Sequence, residues 1–119
     1  MVCVGQGLLG KVKFTDGQMP SYPRTYLVIS ISSTQIGLLN VSSTAGKEHK
    51  LLYSTNRRLV HYNPPFLKDS FVKLDSLVYV AASEIDNFKI LHNGQCLASD
   101  ELNEIVRLVL GKTHLPPGD

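Results

Sequence analysis

Cysteine is scarce in this sequence: its 119 residues include two, Cys3 and Cys96. Two cysteines make neither a disulfide framework nor a set of metal ligands. No apolar run approaches the roughly 18 residues that a membrane-spanning helix needs. The apolar start, MVCVGQGLLG, has no basic residues ahead of it and no small-residue cleavage site after it, so we expect no signal peptide. These absences favour a soluble, cytoplasmic protein with no membrane contact.

Charge is modest overall but unevenly distributed. Residues 1–73 carry nine Lys or Arg and three Asp or Glu, whereas residues 74–119 carry three and seven. The excess of basic residues in the first part suits an anionic partner. An ordinary solvent-exposed charged surface explains the same distribution equally well. The length fits one domain, 1–119, in which the end of the chain, 112–119, is a loose tail.

Most of the chain has the patterns of short β-strands. Strands are predicted from alternating or continuous apolar residues at 10–14, 25–31, 35–44, 50–54, 58–62 and 70–81. The last of these changes phase near Asp75 and Ser76, which predicts a bulge or bend. Short turns suit hairpins at 32–34 and at Asn93-Gly94. The proline-rich stretch 15–23 is predicted to be a loop that leads to Arg24.

The end of the chain has the pattern of an amphipathic helix. Ser99 is a predicted N-cap, and Gly111 is placed to end the helix. Apolar residues follow at helical spacing: Leu102, Ile105, Val106, Val109 and Leu110. The predicted fold is therefore mainly β with a C-terminal helix, either a small SH3-like barrel or a strongly bent antiparallel sheet.

Five segments in this order resemble the MazF/PemK family of toxin endoribonucleases. They are GKVKF, YPRTYLVIS, LLNVSST, VKLDSLVYV and NGQCLASDELNEIVRLVLG. The resemblance implies a MazF-like barrel and metal-independent cleavage of single-stranded RNA, with 2′,3′-cyclic phosphate and 5′-hydroxyl ends. It also implies a homodimer restrained by an antitoxin protein. A non-catalytic member that binds a protein, such as gyrase, or a nucleic acid is the alternative.

The resemblance assigns catalytic roles to Arg24, Ser43 and Thr44. A guanidinium offers several donors in a planar fork and keeps its charge, which suits a phosphate whose negative charge grows during cleavage. The hydroxyls of Ser43 and Thr44 would donate to the same phosphate. From the residues alone, an ion pair between Arg24 and Asp16 or Asp75 is equally open, and strand-end hydroxyls often bind nearby backbone.

A basic segment with tyrosines follows the third predicted strand. Basic groups on phosphates and aromatic faces on bases are the usual components of a single-stranded RNA site. The candidates for RNA binding are Lys47, Lys50, Arg57, Arg58 and Tyr53. A solvated hairpin with its tyrosines in the core is the competing interpretation. GQGLLG resembles a dinucleotide-binding motif in its letters, but it follows no strand and opens no long helix, so no cofactor is predicted. No metal site is predicted either.

Overall fold

The computed structural model describes residues 2–13 and 16–111, which form one antiparallel sheet and a closing helix. In the described residues the strands are β1 Gly7–Gly10, β2 Arg24–Ile31, β3 Gln35–Ser43, β4 Asn56–Arg58, β5 Ser70–Lys73, β6 Val78–Ala81 and β7 Lys89–Ile90. The helix is α1, Ser99–Leu110. Three short 3-10 helices lie at Glu48–Leu52, Ala82–Asn87 and His92–Gly94.

The sheet is strongly bent and, within the described residues, does not close into a barrel. Its strand order is β4-β5-β3-β2-β1-β7. Strand β3 has two partners on one side, since Val41–Ser43 pair with β5 and Gln35–Leu38 pair with β6. The chain turns between β5 and β6, which confirms a bend near Asp75 and Ser76, but the single strand predicted at 70–81 is two strands. Of the two predicted architectures, the bent sheet is the one observed.

Two apolar clusters lie on opposite faces of this sheet because side chains alternate along each strand. The first cluster contains Leu27, Leu39 and Val41 and packs against the helix through Ile105 and Val106. The second contains Tyr26, Val28 and Leu38 and packs against Phe88. We call these the helix face and the open face of the sheet.

The closing helix follows the predicted apolar spacing, but its start differs from the prediction. Ser99 is the first helical residue rather than the N-cap, and the N-cap residue, Ala98, makes no side-chain capping bond. Gly111 ends the helix in the left-handed region with φ of 72°, as predicted. Glu101 is buried and accepts hydrogen bonds from the backbone N–H groups of Val60 and His61, at 2.6 and 2.9 Å. This carboxylate fixes the chain after β4 to the helix.

Three predicted strands are wrong. The first strand lies at Gly7–Gly10 and not at 10–14, because the GLLG segment is the one that pairs with β2. Segment 50–54 lies largely in a 3-10 helix, and 58–62 extends no strand beyond Arg58. Asn93-Gly94 does form a turn, but its flanks pair with the N-terminal segment through β1–β7 and Gln6–Cys96 instead of with each other. Residues 14–15 and the predicted tail 112–119 lie outside the described residues.

Candidate functional site

Arg24 is the first residue of β2 and has an unpaired guanidinium nitrogen. The side chain is half-buried, its Nε is buried without a hydrogen-bond partner, and its Cζ lies 5.3 Å from the centroid of the Tyr22 ring. Ion pairs in the described residues join Arg58 to Asp69 and Arg107 to Glu104. The alternative that Asp16 or Asp75 neutralises Arg24 is therefore not observed.

A pocket of about 370 Å³ lies beside Arg24 on the open face of the sheet. We call it the Arg24 pocket, and its lining residues are Val12, Lys13, Pro20, Arg24, Tyr26, Asn40, Lys73, Ser76 and Val78. Three of these residues are lysine or arginine, and none of the described lining residues is acidic. The pocket can therefore attract and hold an anion.

Lys73 has a lowered pKa, and positively charged neighbours contribute to this. Burial lowers the pKa of Lys73 below its usual value of 10.5, and the positive charges of Lys50, Lys47 and Arg24 lower the same pKa further. The opposing effect of Asp75 is smaller than any of these causes. Lys50 lies near Lys73, because Asn56 pairs with Lys73 and its Nδ2 donates to the backbone carbonyl of Lys50 at 2.9 Å.

The walls of the Arg24 pocket are fixed by the pairing of the sheet. Tyr26 lies opposite Asn40, whose Nδ2 donates to the backbone carbonyl of Thr25 at 3.2 Å. Ser76 Oγ accepts from the backbone N–H of Asn40 at 2.8 Å and donates to the carbonyl of Lys73 at 2.6 Å. Burial raises the pKa of Tyr26 above its usual value of 10.0, against the opposing charge of Arg24. The site is thus built on strands and one tight turn.

The structure does not bring Ser43 to Arg24. The pairs Thr25–Val41 and Tyr26–Asn40 show that Thr25 and Val41 share the helix face and that Tyr26 and Asn40 share the open face. By the same alternation Ser43 follows Val41 to the helix face. There it lines a different pocket with Thr25.

Thr44 is engaged in a contact of its own. It is 6% exposed. Its Oγ1 donates to Asp69, with Oδ2 at 3.0 Å and the backbone carbonyl at 3.2 Å. Asp69 also binds the guanidinium of Arg58. This hydroxyl therefore stabilises the segment before β5.

Ser42 is a strand-end hydroxyl residue that sequence reasoning did not single out. It follows Asn40 to the open face by the alternation of β3, although it lines the pocket that contains Ser43 and not the Arg24 pocket. The sequence alone shows that Ser42 and Ser43 face opposite sides of the sheet, because adjacent residues of one strand always do. Which of the two faces the side of Arg24 depends on the pairing register, and the register was not predictable from the sequence.

The predicted RNA-binding residues separate into three groups. Lys47 and Lys50 lie beside Lys73, as described above, and Tyr53 follows them, 57% exposed. Arg58 is bound by Asp69. Arg57 pairs in register with Val72 and so lies on the helix face. The pKa of the Glu104 carboxyl is lowered mainly by Arg107 and to a smaller extent by the charge of Arg57.

No histidine lines the Arg24 pocket among the residues that the structure describes. His49 lies in the 3-10 helix Glu48–Leu52, the His61 backbone binds Glu101, and His92 lines the pocket that contains Ser43. Within the same residues, no three His, Cys, Asp or Glu side chains gather in a way that would hold a metal ion. The described helices include none that is both long and apolar enough to cross a bilayer.

Comparison with known proteins finds no protein-family model and no curated protein that matches this chain.

Proposed function

We propose that this protein is a metal-independent endoribonuclease that binds single-stranded RNA in the Arg24 pocket. The observation that carries the proposal is the half-buried, unpaired guanidinium of Arg24 in a pocket whose other charged side chains, Lys13 and Lys73, are both cationic. Such a site is suited to a phosphodiester, because planar N–H donors and positive charges stabilise the phosphate oxygens. The order of five segments in the sequence, which resembles MazF/PemK toxins, supports RNA as the substrate.

The proposed reaction forms a bond between the ribose 2′-oxygen and the adjacent phosphorus and breaks the bond to the 5′-oxygen. The 2′-hydroxyl loses a proton, and the departing 5′-oxygen gains one. Negative charge increases on the non-bridging oxygens, where Arg24 and Lys13 are placed to bind. Donors fixed on a sheet need no rearrangement during the reaction, which makes this stabilisation effective.

Lys73 is the group we propose for accepting the 2′-hydroxyl proton. A lysine with a lowered pKa spends more of its time as the neutral amine, and only the neutral amine can accept a proton. Burial and the nearby Lys50 lower its pKa in this way. An arginine side chain is a poor proton acceptor, so the role of Arg24 in this scheme is electrostatic.

The proposed partners follow from the resemblance and from charge. A cytoplasmic toxin of this type would act as a homodimer and be held inactive by an antitoxin protein. An acidic, extended antitoxin segment would complement the cations of the Arg24 pocket together with Lys47 and Lys50. Sedimentation of the purified chain tests for the dimer, because a monomer at micromolar concentration would contradict it.

RNA binding without cleavage is a second candidate function. The observation that favours it is the separation of Ser43, on the helix face, from Arg24, on the open face. No histidine lines the Arg24 pocket in the described residues either. In this case the cations would hold RNA that stays intact.

One experiment separates the two functions. The purified protein is incubated with unstructured RNA in excess chelator, alongside Arg24→Ala and the charge-matched control Arg107→Ala, whose guanidinium pairs with Glu104 on the helix. We expect the wild type and the control to cleave, leaving cyclic phosphates, and Arg24→Ala to be inactive. RNA that stays intact but bound supports the second function. Cleavage by all three proteins contradicts the role of Arg24.

A further inference from the structure

The proposed function leaves unused a second pocket, which lies on the helix face. It has a volume of about 470 Å³, within the range of small-molecule sites, and we call it the Ser43 pocket. Its lining includes residues from β1, β2, β3 and β5, from the loop before β5 and from the segment around β7. Thr25, the residue after Arg24, borders it too, so it lies at the same end of the sheet as the Arg24 pocket.

The inner wall of the Ser43 pocket is apolar. Leu9, Pro65, Phe66 and Leu91 line it, and Leu67 stands at its opening with 74% of its surface exposed. Pro65 and Phe66 are fixed because they pack against β1: a Cβ on Gly7 would lie 3.0 to 3.2 Å from their ring atoms. A rigid wall of flat rings and branched side chains suits a planar, apolar group.

Hydroxyls interrupt this wall on one side. Thr25 and Ser43 project from β2 and β3, and Ser70 pairs with Ser43 across β5. Ser70 Oγ donates to the carbonyl of Lys68 at 2.6 Å, which leaves its oxygen as an acceptor. Hydroxyls can both donate and accept, so this side can bind the mixed donors and acceptors on the edge of a heteroaromatic ring. An aliphatic chain would leave them without a partner.

Basic residues stand at the mouth of the pocket. Lys68, Lys89 and His92 are exposed lining residues, and the described lining includes no Asp or Glu. His92 has φ of 52°, an uncommon value for a residue other than glycine, and this conformation sets it at the rim. The pocket thus combines an apolar slot, hydrogen-bonding groups on one side and positive charge at the opening.

We propose that the Ser43 pocket binds a nucleotide, with the base in the slot and the phosphate at Lys68 and Lys89. The nucleotide has two sources with the same chemistry, a free mononucleotide or one residue of an RNA strand that continues around the end of the sheet from the Arg24 pocket. Binding of a mononucleotide here does not depend on RNA cleavage at Arg24, so each proposal can fail alone.

The test is an NMR titration with AMP and, separately, UMP, which follows the methyl signals of Leu67 and Leu91. We expect both signals to shift on saturation with at least one of the two nucleotides. Replacing both Lys68 and Lys89 by alanine should weaken the dissociation constant at least about fivefold, since each loses a charge-assisted contact. Lys11→Ala, which removes an exposed lysine outside the pocket, should leave it unchanged.

Two further probes test whether the pocket recognises a base. Inorganic phosphate that binds as tightly as the nucleotides, or octanoate that binds more tightly, overturns the proposal, as does a titration without methyl shifts. A pentaribonucleotide in chelator and on ice distinguishes the sources. If it displaces the mononucleotide, the pocket is a subsite for RNA; if it does not, the ligand is a free nucleotide.

Discussion

The Arg24 pocket makes a quantitative prediction about how RNA binding depends on salt. A protein that neutralises phosphates releases counterions, and for single strands log K falls with log salt with a slope of about −0.7 for each phosphate neutralised. Five cations share this side of the protein: Lys13, Arg24, Lys47, Lys50 and Lys73. If each contacts one phosphate, the slope is about −3.5, and raising the salt from 50 to 200 mM weakens binding by about 100-fold.

Replacing Arg24 by glutamine should reduce that slope to about −2.8. At fixed salt the same change removes charge-assisted hydrogen bonds worth roughly 1.5–3 kcal/mol, which corresponds to a loss of affinity of about 10-fold or more. Fluorescence anisotropy of a labelled unstructured oligonucleotide, titrated at several salt concentrations, measures both quantities. The oligonucleotide carries 2′-deoxy sugars so that it is bound but not cleaved.

Arg107→Ala is the matched control for this measurement, because it removes one guanidinium that is paired with Glu104 on the helix. It should leave the slope unchanged. If the slope for Arg24→Gln equals that of the wild type, Arg24 contacts no phosphate, and the assignment of Arg24 to the binding site is wrong. An equal change in both variants would show that net charge, and not the pocket, governs binding.

Three other substitutions test the structure behind the site. Lys73→Met should weaken RNA binding and raise the melting temperature at neutral pH. Folding lowers the pKa of Lys73, so the charged form of Lys73 destabilises the folded protein. The increase in melting temperature should therefore become smaller as the pH rises toward 10.5. Glu101→Gln should cost about 1–3 kcal/mol in urea unfolding, because the amide cannot accept both backbone bonds equally well. Gly10→Ala should cost about 1–3 kcal/mol by the same measurement, since its Cβ would lie 2.4 Å from the Phe88 ring. Equal midpoints for the wild type and Gly10→Ala, or for the wild type and Glu101→Gln, would contradict these assignments, as would a lower melting temperature for Lys73→Met.

Much of the fold was predictable because local patterns agreed with the final contacts. The central strands β2 and β3 are apolar, β-branched and separated by a short polar turn, so their hairpin needs no distant partner to specify it. The phase change at Asp75 and Ser76 marks the point where the chain leaves β5 and begins β6. The helix was predictable from its apolar spacing and from Gly111.

The errors arise where pairing across the chain decides the outcome. Segment 10–14 alternates as well as any strand, but Gly7–Gly10 is the part that pairs with β2 and β7. The Asn93-Gly94 turn was predicted to join two strands, yet both of its flanks pair with residues near the N-terminus. Local signals for turns do not state which strand the flanking residues will join.

The candidate site was only partly predictable for the same reason. Arg24 was selected because of the resemblance to MazF/PemK toxins, and Lys47 and Lys50 because of their charge beside tyrosines. Lys73 was missed because it is one lysine in a strand, and its importance comes from the neighbours that the sheet gives it. The choice between Ser42 and Ser43 depends on a register of one residue, and a change of one residue moves a side chain to the other face.

The most direct test of the account is to map RNA on the protein by NMR with a 2′-deoxy oligonucleotide, which lacks the attacking hydroxyl. The backbone signals of Lys13, Arg24 and Lys73 should shift on binding. At one subsaturating oligonucleotide concentration, the shifts at Lys13 and Lys73 should be much smaller in Arg24→Ala than in the wild type, while the folded spectrum stays intact. Shifts confined to the helix, or shifts at Lys73 of equal size in Arg24→Ala and the wild type at that concentration, would contradict the assignment of the Arg24 pocket as the RNA site.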